Sequence, residues 1–247
     1  MAKVVVITGA NRGLGFATVR EMLSRPDFRE SFVYLTSRDS SKGQAAVTQI
    51  GQELGPGVVS RLSSYELDIT NDASVNAFSL HLKQKHGGID VLIHNAGIAF
   101  NNDSTVPFSE QARCTVDTNF YGTRRVAKAL HPLLRVGARV VVITSNCGHL
   151  SKINGSEPGA SELRQRLASQ DLTDVDLCSM MEDFVQSAQE GKHEAKGWPN
   201  SAYKVFFSFN QVGFIDFQVS KVGVSALARI LQKAQKRDNK VTLSSSD

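Results

Sequence analysis

Val4-Val5-Val6-Ile7-Thr8-Gly9-Ala10-Asn11-Arg12-Gly13-Leu14-Gly15 runs from four β-branched residues straight into a glycine turn, and a helical pattern follows through Met22. A short apolar run without alternation reads as a strand buried on both faces. Glycines in the turn let backbone approach a pyrophosphate closely. The helix that opens behind them offers unpaired N–H groups and the positive end of its dipole. The spacing Gly-x-x-x-Gly-x-Gly differs from the simple dinucleotide fingerprint, and no Gly-Lys-Ser/Thr follows as in a nucleoside-triphosphate loop. The turn therefore predicts a dinucleotide site at the end of a first strand.

Further along, the same alternation repeats. Phe32 to Thr36 reads as a strand and Gly43 to Leu54 as a helix. Arg61 to Leu67 is a weaker strand, followed by a helix over Ala73 to Lys85. Asp90 to Ile93 is a strand, Glu110 to about Leu134 a helix, and Arg139 to Ile143 a strand. Strands that alternate with amphipathic helices predict a doubly wound, Rossmann-type α/β fold, with a parallel sheet and helices on both faces. No internal repeat or composition break divides residues 1–247, so one domain is expected. Two regions interrupt the rhythm. Residues 146–202 form a long polar connection with helical patterns over Ala160 to Ala168 and Ser179 to Gln189. Connections this long are usually functional covers or insertions. From Gln232 a basic helix end leads to a short strand at Lys240 to Leu243 and then Ser-Ser-Ser-Asp.

Composition narrows the function. With 41% hydrophobic and 21% charged residues the chain can bury an ordinary core, and its net charge of +4 is spread rather than clustered. That argues against nucleic acid as a partner. No apolar run approaches a membrane span, and Val4 to Ile7 lacks a signal-peptide layout. Cys114, Cys147 and Cys178 are widely spaced without a Cys-x-x-Cys pair, so neither a disulfide framework nor a metal site is expected. A reducing compartment fits, and a cytoplasmic protein is expected.

Two arginines bear on the cofactor. Arg12 lies in the glycine turn and Arg38 just past the second strand, where an adenosine ribose reaches. An acidic residue there would bond a free 2′-hydroxyl, whereas arginine favours a 2′-phosphate through charge-assisted hydrogen bonds. The pair favours NADP(H) over NAD, with the adjacent Asp39 as a complication.

Together these motifs resemble the short-chain dehydrogenase/reductase family, and within it the monomeric NADPH-dependent carbonyl reductases. The likeness runs from about Lys3 to Val241. It includes the glycine turn, Leu67-Asp68-Ile69, Asn95-Ala96-Gly97, Thr118-Asn119-Phe120-Tyr121-Gly122-Thr123, Ser145 and Gly197 to Tyr203. Residues 146–202 resemble the subgroup's insertion, notably at Glu182-Asp183-Phe184, Gly191-Lys192-His193 and Trp198-Pro199. In that subgroup the insertion covers the substrate site and obstructs dimerisation, so a monomer is implied.

The resemblance also implies roles. Gly9, Asn11, Arg12, Gly13, Leu14 and Gly15 would hold the cofactor with Arg38. Asp68 and Ile69 would lie at its adenine end, and Asn95, Ala96 and Gly97 along its channel. His94 stands where the family usually has asparagine. Ser145 would hydrogen-bond the carbonyl of a small-molecule substrate (an aldehyde, ketone or quinone), and Tyr203 would donate the proton. Lys221 would hold the ribose and lower the tyrosine pKa, and Asn119 would support a water relay to that lysine. An unperturbed tyrosine titrates near pH ~10, so a neighbouring ammonium is chemically necessary.

The lysine is where the chain departs from the pattern. It belongs four residues after the tyrosine, on the same helix face, yet Phe207 occupies that place. Skipping Val205 to Gln218 restores the spacing as Tyr203-Lys204-Val219-Ser220-Lys221. Those 14 residues hold five of the chain's 13 phenylalanines and Gly213, a poor helix sequence. On one continuous helix Lys221 would stand roughly 27 Å from Tyr203 at ~1.5 Å per residue. Lys204 would point about 100° aside. Lys221 reaches the tyrosine only if the insert loops out. A valine codon begins GT and a glutamine codon can end AG, so the segment reads as an in-frame retained intron, with a genuine family-specific loop as the alternative. The family also continues beyond the strand near Val241, so the fold is expected to be C-terminally truncated relative to it. The resemblance therefore implies NADPH-dependent reduction of carbonyl compounds. The alternative is an impaired isoform that only binds NADP(H), or an unstable splice product.

Overall fold

The computed structural model describes residues 2–100, 104–145, 148–199, 215–237 and 241–246. Six strands form one parallel sheet: β1 (Lys3–Ile7), β2 (Ser31–Ser37), β3 (Leu62–Glu66), β4 (Ile89–His94), β5 (Leu134–Ile143) and β6 (Val241–Ser246). Their order is β3-β2-β1-β4-β5-β6. The chain divides into two compact units: residues 2–96, 122–143 and 234–246 form the first, and 97–121 and 144–233 the second.

The first unit contains the whole sheet. Val5 pairs with Val33 on one side and Val91 on the other, and Val4 to Ile7 are all 1% exposed or less. Burial on both faces explains why β1 does not alternate. Strand order reverses between β1 and β4, which makes their carboxyl ends the switch point where doubly wound sheets bind ligands. Helices α1 (Gly13–Ser24) and α2 (Ser40–Leu54) pack together, as do α3 (Asp72–His86) and α5 (Thr123–Leu130). Val19, Met22, Leu23, Ala46, Val47 and Ile50 seat the first pair on Val5, Ile7, Val33 and Leu35. The right-handed crossover rule places the second pair on the opposite face.

The second unit has its own core. Phe120, Leu177, Met180, Met181, Phe184, Trp198, Val222, Ala226 and Leu227 pack between α4 (Phe108–Thr115), α7 (Asp174–Gln189) and α8 (Ile215–Arg237). The long polar connection contains α6 (Gly159–Ala168) and α7, and the latter is opened by a capping box between Thr173 and Asp176. Asp183 on α7 accepts hydrogen bonds from Trp198 Nε1 (3.0 Å) and Lys196 Nζ (2.7 Å). Partial burial opposes ionisation of that carboxyl, but the two donors hold its pKa below the usual value. Removing the acceptor leaves a fully buried indole N–H unpaired. Asp183→Ala should lower stability by about 1–3 kcal/mol. Urea unfolding measures this, and an unchanged midpoint would show that Trp198 needs no acceptor.

Several boundaries differ from the sequence-based expectation. The helix expected to run from Glu110 to Leu134 is α4, a π-helical turn over Val116–Gly122, then α5, and it stops at Leu130. His131-Pro132 begins a short 3₁₀ turn, and β5 starts at Leu134 rather than at Arg139. Proline cannot continue the α-helical ladder, which accounts for the stop. Ser244 to Ser246 extend β6 instead of trailing off, because parallel pairing with Val141, Val142 and Ile143 occupies their backbone. Ile215 to Gln218, the end of the segment read as a poor helix, form the first turn of α8. Within the described residues no helix is long and apolar enough to cross a membrane.

Candidate functional site

In the first unit the turn after β1 is fitted to the end of β4. Thr8 Oγ1 accepts from the backbone N–H groups of Asn95 and Ala96, both at 3.0 Å. Asn95 Nδ2 donates to the carbonyls of Thr8 (2.9 Å) and Gly9 (3.0 Å). Gly9 (φ +61°) has no room for a side chain, since a Cβ there would sit 2.8 Å from Ala96 Cα. At Gly15 a Cβ would lie 2.4 Å from Asn95 Nδ2 and 2.9 Å from Ala10 Cα. Gly13 (φ +59°) faces open space instead. Gly15→Ala should therefore cost about 1–3 kcal/mol by overpacking and displace the turn. Gly13→Ala should show only the milder left-handed strain of ~1–2 kcal/mol. Thermal unfolding of the two variants checks this ranking, and the reverse order would contradict the geometry.

The start of α1 fits an anionic cofactor. Arg12 is its N-cap residue with extended backbone, no side chain caps the helix, and its first turn carries no acid. The amides there are unsatisfied donors at the positive end of the dipole. Arg12 and Leu14 are exposed and Asn11 half-buried; Arg38 is exposed just past β2. Asp39 is committed elsewhere: its carboxylate caps α2 through Lys42 N (3.1 Å) and accepts from Ser41 Oγ (2.6 Å). The Ser41 hydroxyl and the Lys42 amide hold its pKa down at about 2. Asp68 Oδ1 accepts from the amide and hydroxyl of Thr70 at 2.9 and 2.7 Å. Ile69 is buried, and its carbonyl accepts from Arg125 Nη1 at 2.7 Å. Gly122 approaches Ile69 so closely that a Cβ would meet its Cδ1 at 2.7 Å.

His94 is 3% exposed, and its ring centroid lies 5.8 Å from that of His131. Burial, with His131 adding to it, drives its pKa down to about 3, and burial takes His131 to about 4. Both rings are neutral at physiological pH, so His94 fills the usual asparagine position as an uncharged group.

The second unit gathers the other residues. Asn119 sits in the π-helical turn, a deformation frequent at functional sites. Its Oδ1 accepts from Ile98 N (2.8 Å), while Nδ2 donates to Ile98 O (3.0 Å) and to Ser220 Oγ (2.9 Å). Lys221, the next residue on α8, is 7% exposed. A Cβ on Gly97 would stand 3.0 Å from Asn119 Oδ1 and 3.9 Å from Lys221 Nζ. Gly97, Asn119 and Lys221 thus share one corner, and any side chain at position 97 would crowd it. Ser145 is half-buried beyond β5, in a turn closed by Gly148 N donating to its carbonyl at 2.7 Å. Gly148 rests on α8, where a Cβ would lie 3.0 Å from Lys221 O. The serine turn therefore packs against the helix turn that carries the lysine.

Tyr203 and Lys204 lie outside the described residues. The His193 ring lies tilted against Phe108 with centroids 4.7 Å apart, as a packing histidine would. Trp198 is fully buried. Sequence reasoning missed Thr8 and Ser220. Thr8 precedes the first glycine and Ser220 precedes the lysine, but neither position signals a partner until the fold brings Asn95 and Asn119 to them.

Residues 3–163 match the family described as short chain dehydrogenase. The chain is 37% identical over 243 residues to carbonyl reductase [NADPH] 1 of Rattus norvegicus, spanning 97% of this chain and 78% of that protein. It is also 37% identical over 232 residues to carbonyl reductase [NADPH] 3 of Homo sapiens, spanning 94% and 74%. Among solved structures, menthone neomenthol reductase from Mentha piperita superposes with a TM-score of 0.78 at 26% identity, covering 95% of this chain and 86% of that one. Salutaridine reductase from Papaver somniferum shares the fold with a TM-score of 0.78 at 22% identity, covering 98% and 85%. With the glycine turn, the strand order and these likenesses in agreement, the chain belongs to the short-chain dehydrogenase family, in its carbonyl reductase subgroup.

Proposed function

We propose that this protein reduces aldehydes, ketones or quinones, with Ser145, Tyr203 and Lys221 as its reacting group and Asn119 in support. It is an NADP-dependent oxidoreductase, and NADP(H), when bound, supplies the hydride. The observation that carries the reading is the corner formed by Gly97, Asn119 and Lys221, all three of which the family resemblance singles out.

Each residue has a physical task. The uncapped start of α1 and the glycines receive the pyrophosphate. Arg12 and Arg38 meet a 2′-phosphate, with Asp39 withdrawn into its own helix cap. Asp68 and Ile69 lie at the adenine end, and Asn95, Ala96 and Gly97 along the channel. Ser145 donates a hydrogen bond to the substrate carbonyl and stabilises charge as it develops on that oxygen. Tyr203 gives that oxygen its proton. Lys221, an ammonium in a buried corner, favours the ionised phenol and so lowers the tyrosine pKa. Asn119 has both amide hydrogens committed and keeps one Oδ1 lone pair for the relay. A monomer in the cytoplasm completes the proposal.

Cofactor choice is testable at Arg38. Arg38→Glu should weaken NADPH binding about ten- to a hundredfold by removing a charge-assisted contact and adding repulsion, with little effect on NADH. Fluorescence titration with both cofactors measures it; equal affinity of the unaltered chain for NADH would contradict the arginine argument. The reaction itself is tested by NADPH consumption with a panel of quinones and aromatic aldehydes. Carbonyl-dependent oxidation is expected, and tight NADPH binding without turnover on any of them would reduce the protein to a cofactor binder.

A further inference from the structure

Within the second unit, two consecutive residues of the π-helical turn meet one face of α8. Asn119 Nδ2 donates to Ser220 Oγ at 2.9 Å. One helical turn on, Gly223 comes so close that a Cβ would lie 3.2 Å from Phe120 Cδ2 and 2.7 Å from Met181 Sδ. Ser220 and Gly223 are three residues apart and so share a helix face. Asn119 and Ser220 are both buried, at 1% and 0% exposure. The rest of the amide pairs with Ile98: Oδ1 accepts from its N–H at 2.8 Å, and Nδ2 donates to its carbonyl at 3.0 Å. The asparagine therefore clamps Ile98 to the helix that carries the lysine.

The two contacts act differently. Gly223 against Phe120 and Met181 is an apolar contact, and the hydrophobic effect behind it has no direction. The Ser220 bond is directional and weakens steeply away from its preferred distance and angle. A slip of one residue would move α8 by ~1.5 Å along its axis and turn it by ~100°. That slip carries Ser220 off the amide and leaves a buried N–H unpaired, which is costly. Lys221 is the next residue, and a Cβ on Gly97 would stand 3.9 Å from its Nζ. Its backbone is held on the other side: the Lys221 carbonyl accepts from Ser225 Oγ at 3.0 Å, and a Cβ on Gly148 would lie 3.0 Å from that oxygen.

We propose that Ser220 is a positioning residue for carbonyl reduction: by accepting from the Asn119 amide it sets the register of α8 and so holds the Lys221 ammonium in its corner. The inference rests on the reading of Lys221 as part of the reacting group. It matters particularly in this chain, where Lys221 does not follow Tyr203 at one helical turn. Where that spacing is four residues, one continuous helix delivers the lysine beside the tyrosine. Here its place depends on lateral contacts, and the Ser220 hydroxyl supplies the directional one. Ser220 itself touches no reacting atom; it acts through Asn119 and through the helix.

The test is Ser220→Ala in the full chain, read by lysine acetylation of the cofactor-free protein and by steady-state NADPH consumption with quinones. Acetylation at Lys221, followed by mass spectrometry of its peptide, is expected to quicken about fivefold, because the turn that buries the ammonium opens more often. The other lysines should keep their rates. The kcat should fall about ten- to a hundredfold while KM for the quinone stays within about twofold, since a misplaced group slows the reaction and Ser145 still meets the carbonyl. Ser220→Thr supplies the same acceptor and should restore both readouts. Circular dichroism confirms folding; if Ser220→Ala does not fold, Ser220→Cys, whose sulfur is a weak acceptor, takes its place. An unchanged rate at Lys221, or a loss of kcat that threonine does not restore, would overturn the proposal. If the unaltered chain turns over no quinone, acetylation decides alone. Quickening at Lys221 then supports the register assignment and puts the failure on the proposed reaction, and no quickening overturns the assignment too.

Discussion

Lys221→Met is expected to lower kcat for carbonyl reduction by about 10²–10⁴-fold while the protein remains folded. Methionine keeps an unbranched apolar stem in a corner where Lys221 is 7% exposed, so packing changes little. What disappears is the ammonium beside Gly97 and Asn119. Without it the phenol of Tyr203 returns towards pH ~10, and proton donation at neutral pH loses its driving force. Steady-state NADPH consumption, with circular dichroism as the control for folding, measures the effect. A variant as active as its parent would remove Lys221 from the chemistry. Asn119 would then be a structural residue that ties Ile98 to α8.

The second large effect concerns acid. His94 titrates at about 3 and His131 at about 4 in the folded protein, against ~6.5 in an unfolded chain. Below pH 6.5 the unfolded chain binds protons that the folded one refuses. Stability is therefore full above that value and is lost as pH falls towards the folded pKa values. At pH 5 each ring contributes a loss of about 2 kcal/mol, or about 4 kcal/mol together, a large fraction of an ordinary domain's stability. The carboxylates with lowered pKa, such as Asp39 at about 2, titrate lower and do not account for a loss in this window. Urea unfolding at pH 7 and pH 5 measures the difference. His94→Asn, the usual family residue, should remove about half of it. Equal stability at the two pH values would contradict the neutral buried pair.

Much of the fold was legible because its signals are local. β-branched runs such as Val4 to Ile7 mark strands buried on both faces, and a glycine turn between strand and helix marks a binding loop. The features that escaped depend on partners far along the chain. The π-helical turn at Asn119 appears in no propensity, and its purpose emerges only when Ile98 and Ser220 are in place. Ser244 to Ser246 read as a tail because serine favours turns, yet pairing with β5 makes them a strand. Asp39, a complication beside Arg38 in the sequence, is instead held locally as the cap of its own helix through Lys42 N.

Lys221 was legible only through the interrupted spacing after Tyr203, and the structure puts it beside Asn119 and Gly97. Residues 205–214, which separate the tyrosine from α8, lie outside the described residues, and Tyr203 with them.

The most direct measurement compares NADPH consumption with quinones by the intact chain and by one lacking Val205 to Gln218. The account predicts carbonyl-dependent turnover by the intact chain, because Lys221 already stands in its corner with Asn119. Turnover only after the deletion, or by neither protein, would contradict it.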